Sequence, residues 1–374
     1  MIFEFYRRYL LPASILSGTI IGAGVFALPY VFVRSGWAVG TAYLFLLTVA
    51  VWILHSMFAE VILSVGEEHR FVGYVRILLG EAPFRVAIIT SVLGLTLALT
   101  AYLVLGISFI NLLYPQGSEL LKVIIFWLLG SSLILIRIRL LAILEFFVVI
   151  GLLFIIAFIF LLSLGGWNKF GSLSRVNAGY LFLPFGPILF SLIGRTAVPS
   201  VINYINDAGL PSFLVKRAIL LGTIIPPLFY LAFIVGIIGL SDSVSIDSVS
   251  GLIAAAPRAV LLVVGIFGLL SLLSTYIVLG IDVAKNLILD LRLPKAAAFA
   301  AVVFLPIAFY FFGLKNFLGL VSIIGGVFVS LEAAMIALMW KKIGTAAPKR
   351  ALIAYTLAGI FILGAFYEII TTVM

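Results

Sequence analysis

Eleven long apolar segments, separated by short polar connections, dominate the pattern of hydrophobic and polar positions along the chain. A helix needs about 20 apolar residues to cross a hydrocarbon core of roughly 30 Å. The pattern therefore predicts an all-α polytopic membrane protein with 11 transmembrane helices. In chain order, segments 1 to 11 lie at residues 12–33, 37–64, 84–113, 120–136, 140–164, 179–205, 214–241, 258–284, 296–312, 317–340 and 351–373.

Composition and charge agree with this class. Of the 374 residues, 64% are hydrophobic and 10% are charged, which is too little charge to cover a soluble domain. Sixteen of the 23 Lys and Arg residues fall at one set of segment ends, six at the other, and Arg195 lies inside a segment. The positive-inside rule then predicts a cell-membrane protein with a cytoplasmic N-terminal segment, residues 1–11, and an external C-terminus. The net charge of +9 is an orientation signal, so we expect lipid contacts and no nucleic-acid partner.

Motifs of common enzyme classes do not occur in the sequence. It contains neither a G-x-x-x-x-G-K-[ST] phosphate loop nor an H-E-x-x-H pair. With two His and no Cys, it has no disulfide framework and no thiolate metal site. We therefore expect no catalytic residues, no cofactor and no obligate protein partner.

Segment 1 is interrupted in its middle by the stretch Gly18-Thr-Ile-Ile-Gly-Ala-Gly24, and Pro29 follows. Three glycines within seven residues disfavour a continuous helix. Inside a membrane, a broken helix is tolerated only where it is buried in protein or lines a cavity. The stretch therefore predicts half of a binding site. The alternative is that the Gly18-x-x-x-Gly22 spacing serves close helix packing.

A second interruption occurs at the matching place in the other half of the chain. Residues 12–164 hold segments 1 to 5, and residues 179–340 hold segments 6 to 10, over nearly the same length. Because five is odd, the second half must enter the membrane inverted. Segment 6 opens with Pro184-Phe-Gly-Pro187, and Gly194 to Pro199 break its middle. Matching broken segments in two halves indicate a transporter site, although Pro199 alone is also compatible with a kinked packing helix. Residues 349–374 then form an accessory helix.

The two ends of a broken helix suit the two charges of an amino acid. Free N–H groups near Ala23 and Gly24, at the positive dipole end, favour a carboxylate. Free carbonyls between Gly18 and Ile21 favour an ammonium group or a small cation. The second interruption adds Arg195 and Thr196 to the candidate substrate contacts.

Segment 8 carries hydroxyls on one helical face, at Ser271, Ser274 and Thr275. With the carbonyls of Gly18 and Ile21, they make an all-oxygen shell suited to Na⁺. The alternative is that these hydroxyls bond to their own helix or to a neighbour.

Several ionisable residues lie inside the segments, where each is costly and either forms a pair or lines a pathway. Arg195 has three interpretations: it binds a carboxylate, pairs with Glu60, or takes the place of a cation. For Asp282 and Glu368, near segment ends, we expect structural pairs or an interface position, and for His55 a hydrogen-bonded packing role. The candidates for proton coupling are Glu60, Glu145 and Glu332.

These motifs resemble the amino acid–polyamine–organocation superfamily, and within it the amino acid/auxin and the hydroxy/aromatic amino acid permeases. Gly18-Thr-Ile-Ile-Gly-Ala-Gly-Val-Phe-Ala-Leu-Pro29, continued by Ser35-Gly-Trp37, is similar to their first-span signature. Phe190-Ser-Leu-Ile-Gly194 with Ala197-Val-Pro199 resembles their broken sixth span. Ser274 to Asp282 resembles their eighth span, and Ala59-Glu60 with Gly73-Tyr74 resembles the end of the second and its loop.

The resemblance implies a LeuT-type fold of five plus five inverted repeats, and cation-coupled amino-acid uptake. It also implies an ion site that coincides with the oxygen shell described above. Arg195 departs from the pattern, because a histidine, a glutamate or a small residue is more usual there. Tyr102 in segment 3 is a further candidate for the substrate carboxylate. The implied substrate contacts are Gly18, Ile21, Gly22, Ala23, Gly24, Phe190, Ser191 and Gly194.

The sequence thus predicts a secondary transporter that couples Na⁺ or H⁺ to symport of a neutral, apolar or aromatic L-amino acid. Its partners would be the amino acid, the coupling cation and membrane lipid, with no bound metal other than the candidate Na⁺. Two alternatives stay open: a proton-coupled or uncoupled exchanger, and, from a different class, a channel or a non-transporting membrane assembly protein.

Overall fold

The computed structural model describes residues 2–66, 69–134, 138–166, 169, 173–241, 243–344 and 348–373. Of residues 2–3, 138–149, 255 and 372–373 it describes the backbone only. All regular structure in these ranges is helical, in agreement with the predicted all-α class. The principal helices are α1a (Tyr6–Ile20), α1b (Ala23–Ser35), α2 (Trp37–Val65), α3 (Glu81–Leu113), α4 (Glu119–Ile134), α5 (Ile138–Leu162), α6a (Phe185–Leu192), α6b (Val198–Asp207), α7 (Phe213–Leu240), α8 (Arg258–Asp290), α9 (Lys295–Phe311), α10 (Phe317–Ile343) and α11 (Pro348–Val373).

Each predicted segment corresponds to one of these helices or to a broken pair. Within the described residues, seven helices are long and apolar enough to cross a membrane, and eight if the bent pair α1a–α1b counts as one span. Helix α4 has 16 residues and α9 has 17, which is short for a crossing. The count of eleven transmembrane helices therefore stays a prediction, as do the inverted repeat and the orientation of the termini.

The outer surface of the helix bundle is itself apolar. Phe45 on α2 is 68% exposed and Leu363 on α11 is 70% exposed, while the buried core is also hydrophobic. A surface with this many exposed apolar side chains suits lipid rather than water. The fold therefore supports the assignment to a multi-pass membrane protein.

Segment 1 is broken, as its glycines predicted. Helix α1a ends at Ile20, the chain is extended at Gly22, and α1b leaves at 51° to α1a. The first turns of α1b are a 3₁₀ helix, Ala23–Ala27, and Pro29 then lies in the first turn of the α-helix. Proline suits that position because its missing N–H would have no partner there.

Segment 6 is also broken, at the N-terminal edge of the predicted interruption. The non-helical residues are Ile193 and Gly194, and a 3₁₀ turn, Arg195–Ala197, leads into α6b. Pro199 stands at the start of α6b, so it begins the second half-helix and does not kink a continuous one.

The two breaks pack against each other in a reciprocal way. A β-carbon built on Gly24, at the start of α1b, would lie 2.6 Å from Ser191 Cα, near the end of α6a. A β-carbon built on Gly194 would lie 2.6 Å from Ile20 Cγ1, at the end of α1a. Glycine is needed at both contacts, because Gly24 meets the Ser191 backbone and Gly194 meets the side chains of Ile20 and Leu16. Chain interruption and close packing thus occur together at Gly24 and Gly194, while a packing role for the Gly18-x-x-x-Gly22 spacing stays a prediction.

The Asp247 carboxylate accepts several hydrogen bonds within the loop between α7 and α8 and so orders this loop. Asp247 Oδ1 accepts hydrogen bonds from Ser245 Oγ at 2.7 Å, Val249 N at 3.1 Å and Ser250 N at 3.0 Å. Burial raises the pKa of Asp247, but hydrogen bonds from the serine hydroxyls, including Ser108 on α3, outweigh it and bring the pKa below its ordinary 3.8. A lowered pKa means that the stabilisation is present above the ordinary pKa and is lost as the pH falls below it.

We therefore expect Asp247→Asn to lower the free energy of unfolding at pH 7 by about 1–3 kcal/mol. The apparent Tm of the detergent-purified protein should fall accordingly. The difference from wild type should shrink as the pH falls below about 4. A difference in Tm that is the same at pH 7 and pH 3 would contradict this role of the carboxylate.

Candidate functional site

A cavity lies where the two helix breaks meet. It has an empty volume of about 680 Å³, part of it open to solvent. Five segments contribute to its wall, namely 1, 3, 6, 8 and 10. The lining residues are Thr19, Ile20, Gly22, Gly24, Thr90, Gly94, Leu95, Ala98, Tyr102, Phe190, Ile193, Arg195, Thr196, Thr275, Leu279, Ile324, Phe328, Val329 and Glu332.

The cavity includes six of the eleven residues that the sequence nominated for the substrate: Gly22, Gly24, Tyr102, Phe190, Arg195 and Thr196. The other five do not line it. Ile21 and Gly194 lie in the breaks, and Gly18, Ala23 and Ser191 lie in the half-helices that flank them.

Tyr102 lies at the N–H end of the break in segment 1. The Ala23 N–H donates to the Tyr102 hydroxyl at 3.1 Å. A β-carbon on Gly22 would lie 2.7 Å from the same oxygen and 3.8 Å from Thr275 Oγ1. The hydroxyl therefore stands where the sequence placed a substrate carboxylate, and a bound carboxylate would join or displace it at this N–H.

Both carbonyl ends of the breaks converge on Tyr230 of α7. The Tyr230 hydroxyl contacts Ile20 O at 2.8 Å and Ser191 O at 2.6 Å. The sequence predicted that the carbonyls between Gly18 and Ile21 attract an ammonium group or a cation, and for Ile20 a protein hydroxyl takes this position. Sequence reasoning missed Tyr230, although a fully buried tyrosine hydroxyl requires a partner.

Only part of the predicted oxygen shell reaches the cavity. Thr275 lines it, close to Gly22, while Ser271 and Ser274 are buried in α8. The Thr275 hydroxyl donates to Ser271 O at 3.1 Å, which is the own-helix bond named as the alternative. The Thr275 side chain also hydrogen-bonds Tyr102. Since a hydroxyl oxygen has two lone pairs, one stays available to a cation.

The charged part of the wall is a compact ion pair. Glu332 accepts from Arg195 Nε at 2.5 Å and from Arg195 Nη2 at 2.6 Å. Ser91 Oγ donates to Glu332 Oε1 at 2.8 Å and accepts from Arg195 Nη2 at 2.7 Å. Arg195 is 5% exposed and Glu332 4% exposed, and the guanidinium also lies 4.5 Å from the Phe71 ring centre. Arg195 and Glu332 therefore form a buried, bidentate ion pair with charge-assisted hydrogen bonds, which are stronger than neutral ones.

Two π-helical segments frame this ion pair. Ser91 belongs to the π-helical part of α3, Ile89–Leu93, and Glu332 follows the π-helical part of α10, Ile324–Val329. Single π-helical turns inside α-helices are frequent at functional sites, because they re-aim side chains.

The proposed pair between Arg195 and Glu60 is wrong. Glu60 accepts from Trp340 Nε1 at 2.6 Å and lies 3.2 Å from Lys216 Nζ and 3.7 Å from Arg350 Nη2. It therefore joins α2, α7, α10 and α11 away from the cavity.

Asp282 and Glu368 are also absent from the cavity wall. Asp282 is buried and lies 3.8 Å from Arg70 Nη1, in an ion pair. Glu368 of α11 is buried beside Gly326 of α10. The Glu145 side chain is outside the described part of the structure. Of the two proton-coupling candidates whose side chains are described, Glu60 and Glu332, it is Glu332 that lines the cavity.

Sequence reasoning also missed several residues of the cavity wall, although they are spaced four apart along their helices. Thr90, Gly94, Ala98 and Tyr102 recur every fourth position along α3 and share one face. Ile324, Phe328 and Glu332 do the same on α10. Taking Tyr102 and Glu332 as starting points, this periodicity would have identified both walls.

Comparisons with known proteins agree with this architecture. Residues 7–288 match the tryptophan/tyrosine permease family, whereas no curated protein shows a significant match. The crystal structure of the Eremococcus coleocola manganese transporter, in complex with an aromatic bis-isothiourea substituted compound, is 14% identical with a TM-score of 0.66, covering 100% of this chain and 88% of that one. MhsT in complex with L-phenylalanine is 15% identical with a TM-score of 0.55, covering 96% and 98%. These likenesses support the LeuT-type fold that the resemblance implied.

Proposed function

The chain belongs to the tryptophan/tyrosine permease family, and from this premise we propose that it carries aromatic L-amino acids across the membrane by cation-coupled symport. Membership makes the chain a membrane transporter rather than an enzyme. The superfamily and branch implied by the sequence resemblance stay predictions. The observation that carries the proposal is the cavity between the two helix breaks.

The cavity wall matches the chemistry of an aromatic amino acid. Phe190 and Phe328 supply aromatic faces, and Leu95 and Ile324 supply apolar ones. An aromatic side chain gains from such contacts both by burial and by ring packing. MhsT, a structure of similar fold, was solved in complex with L-phenylalanine, which supports a substrate of this class. In this arrangement the amino and carboxylate groups of the substrate lie at the breaks.

For the coupling ion, the position of Glu332 supports a proton. In the structure the Arg195 charge is neutralised by Glu332. When Glu332 is protonated, Arg195 loses its counter-charge and gains affinity for a substrate carboxylate. Proton binding and substrate binding then favour each other, which is the thermodynamic requirement for symport. Thr275, close to Gly22, is the corresponding candidate for Na⁺.

Uptake by purified protein in liposomes tests the proposal. We expect saturable uptake of radiolabelled tryptophan, tyrosine or phenylalanine, which an imposed proton or sodium gradient drives above equilibrium. An excess of aspartate should not compete, because its charged side chain would make no favourable contact with the aromatic wall of the cavity. Counterflow without accumulation under either gradient would favour an exchanger. Flux that does not saturate would favour a channel and contradict the proposal.

A further inference from the structure

We propose that His55 is a positioning residue that fixes the break in segment 6 and thereby holds Arg195 in the cavity wall. It lies on α2, is 0% exposed, and does not line the cavity itself. This role of His55 follows from the protein's own geometry and rests on the proposed function only where substrate affinity is the readout.

The two ring nitrogens of His55 have defined and different roles. The Gly194 N–H donates to Nε2 at 3.1 Å, and because a backbone N–H can only donate, Nε2 must carry no proton. In a neutral imidazole the proton is then on Nδ1, which lies 3.1 Å from the Thr223 hydroxyl oxygen of α7 and donates to it. His55 is thus a neutral bridge from α7 to the break.

The break needs such an acceptor. Residues that restart a helix have N–H groups without a partner four residues earlier. A buried N–H without any partner is costly. His55 supplies the acceptor at Gly194, while Tyr230 contacts Ser191 O on the other side of the break. Both sides are therefore held by side chains from neighbouring helices.

The position of Gly194 determines that of Arg195, the next residue. Gly194 has little room to move, because a β-carbon there would lie 2.6 Å from Ile20 Cγ1 and 2.9 Å from Leu16 Cδ1. Arg195 in turn makes two hydrogen bonds of 2.5 and 2.6 Å to Glu332. Bonds this short tolerate little displacement, so a loosened Gly194 would misplace the guanidinium.

Two similar amide substitutions separate the roles of the two nitrogens. In His55→Gln the amide group reaches the place of Nε2 and its oxygen can accept from Gly194. In His55→Asn the shorter amide reaches only the place of Nδ1, near Thr223. We expect the Gln variant to bind tryptophan with an affinity close to that of wild type, and the Asn variant to bind about tenfold more weakly, the effect of leaving one buried N–H without a partner. Equal affinities in the two variants would overturn the proposal.

A second readout does not depend on substrate. The natural chain has no cysteine, so Thr196→Cys introduces a single thiol beside Arg195. We expect a thiol reagent to label it faster when His55 is Asn than when it is His or Gln. If labelling follows this order while no aromatic amino acid binds, the His55 proposal holds and the proposed function fails.

A third variant covers the case in which His55→Asn does not fold. Thr223→Val removes the acceptor of the Nδ1 proton and so weakens the tautomer that accepts from Gly194. It should also accelerate labelling at Thr196→Cys. Unchanged labelling in Thr223→Val, or in a folded His55→Asn, would contradict the positioning role.

Discussion

Replacing Gly24 by alanine should weaken binding of aromatic amino acids on the order of 100-fold, the equivalent of about 2.7 kcal/mol. The added β-carbon would lie 2.6 Å from Ser191 Cα and 2.7 Å from Ser191 Cβ, and 3.1 Å from Phe190 Cδ1. Because a backbone atom cannot rotate away, the two breaks must move apart, and overpacking of this kind typically costs 1–3 kcal/mol. Equilibrium binding of radiolabelled tryptophan to purified protein measures the effect.

Gly359→Ala is the matched control for this substitution. Gly359 lies in α11, and a β-carbon there would meet no atom within 4 Å. It should bind tryptophan as wild type does, with the same yield of monodisperse protein. Normal affinity in a well-assembled Gly24→Ala variant would show that the breaks do not form the substrate site.

Glu332→Gln should abolish proton-driven accumulation while counterflow persists. Glutamine cannot take up and release a proton, so the linkage between proton binding and substrate binding is removed. Its amide still lies within reach of Ser91 and Arg195, so the cavity keeps its polar wall. In liposomes, we expect no uptake above equilibrium under an imposed pH gradient, and exchange of labelled for unlabelled tryptophan at a measurable rate.

Glu60→Gln and Thr275→Ala serve as comparators. Glu60 bonds Trp340 and Lys216 outside the cavity, so its substitution should leave the pH dependence intact. If Na⁺ is the coupling ion, Thr275→Ala should weaken the sodium dependence and Glu332→Gln should not abolish accumulation. Wild-type accumulation under a pH gradient in Glu332→Gln would rule out the proton-coupling role of Glu332.

The parts of the site that depend on local backbone chemistry were predictable from the sequence. Gly22 and Gly24 indicated a break because their effect on helix propensity is local. Pro199 marked segment 6 for the same reason, although the break lies slightly earlier, at Ile193 and Gly194. The expectation of a shared site came from the matching places of the two interruptions in the two halves of the chain.

Side-chain partners were much less predictable. Arg195 pairs with Glu332, 137 residues away, and not with Glu60. Both carboxylates lie in apolar segments, so the choice depends on how helices are arranged in three dimensions. Tyr230 is a similar case, because its contacts are backbone carbonyls, and any residue type can supply those. The spacing of four along α3 and α10 would have shown which helix faces line the cavity. It would not have shown which side chains on those faces bond to each other.

The central claim is that the substrate occupies the cavity between the two helix breaks, and protection of a single thiol tests it most directly. Leu95 lines this cavity and lies outside both breaks, and the chain has no cysteine of its own. Leu95→Cys therefore reports on occupancy, and Val176→Cys, at a 56% exposed position, reports on general reactivity. We expect tryptophan to slow labelling at Leu95→Cys, with a concentration dependence that matches its binding affinity, and to leave Val176→Cys unchanged. Saturating tryptophan that binds normally but leaves the labelling of Leu95→Cys unaltered would contradict the claim.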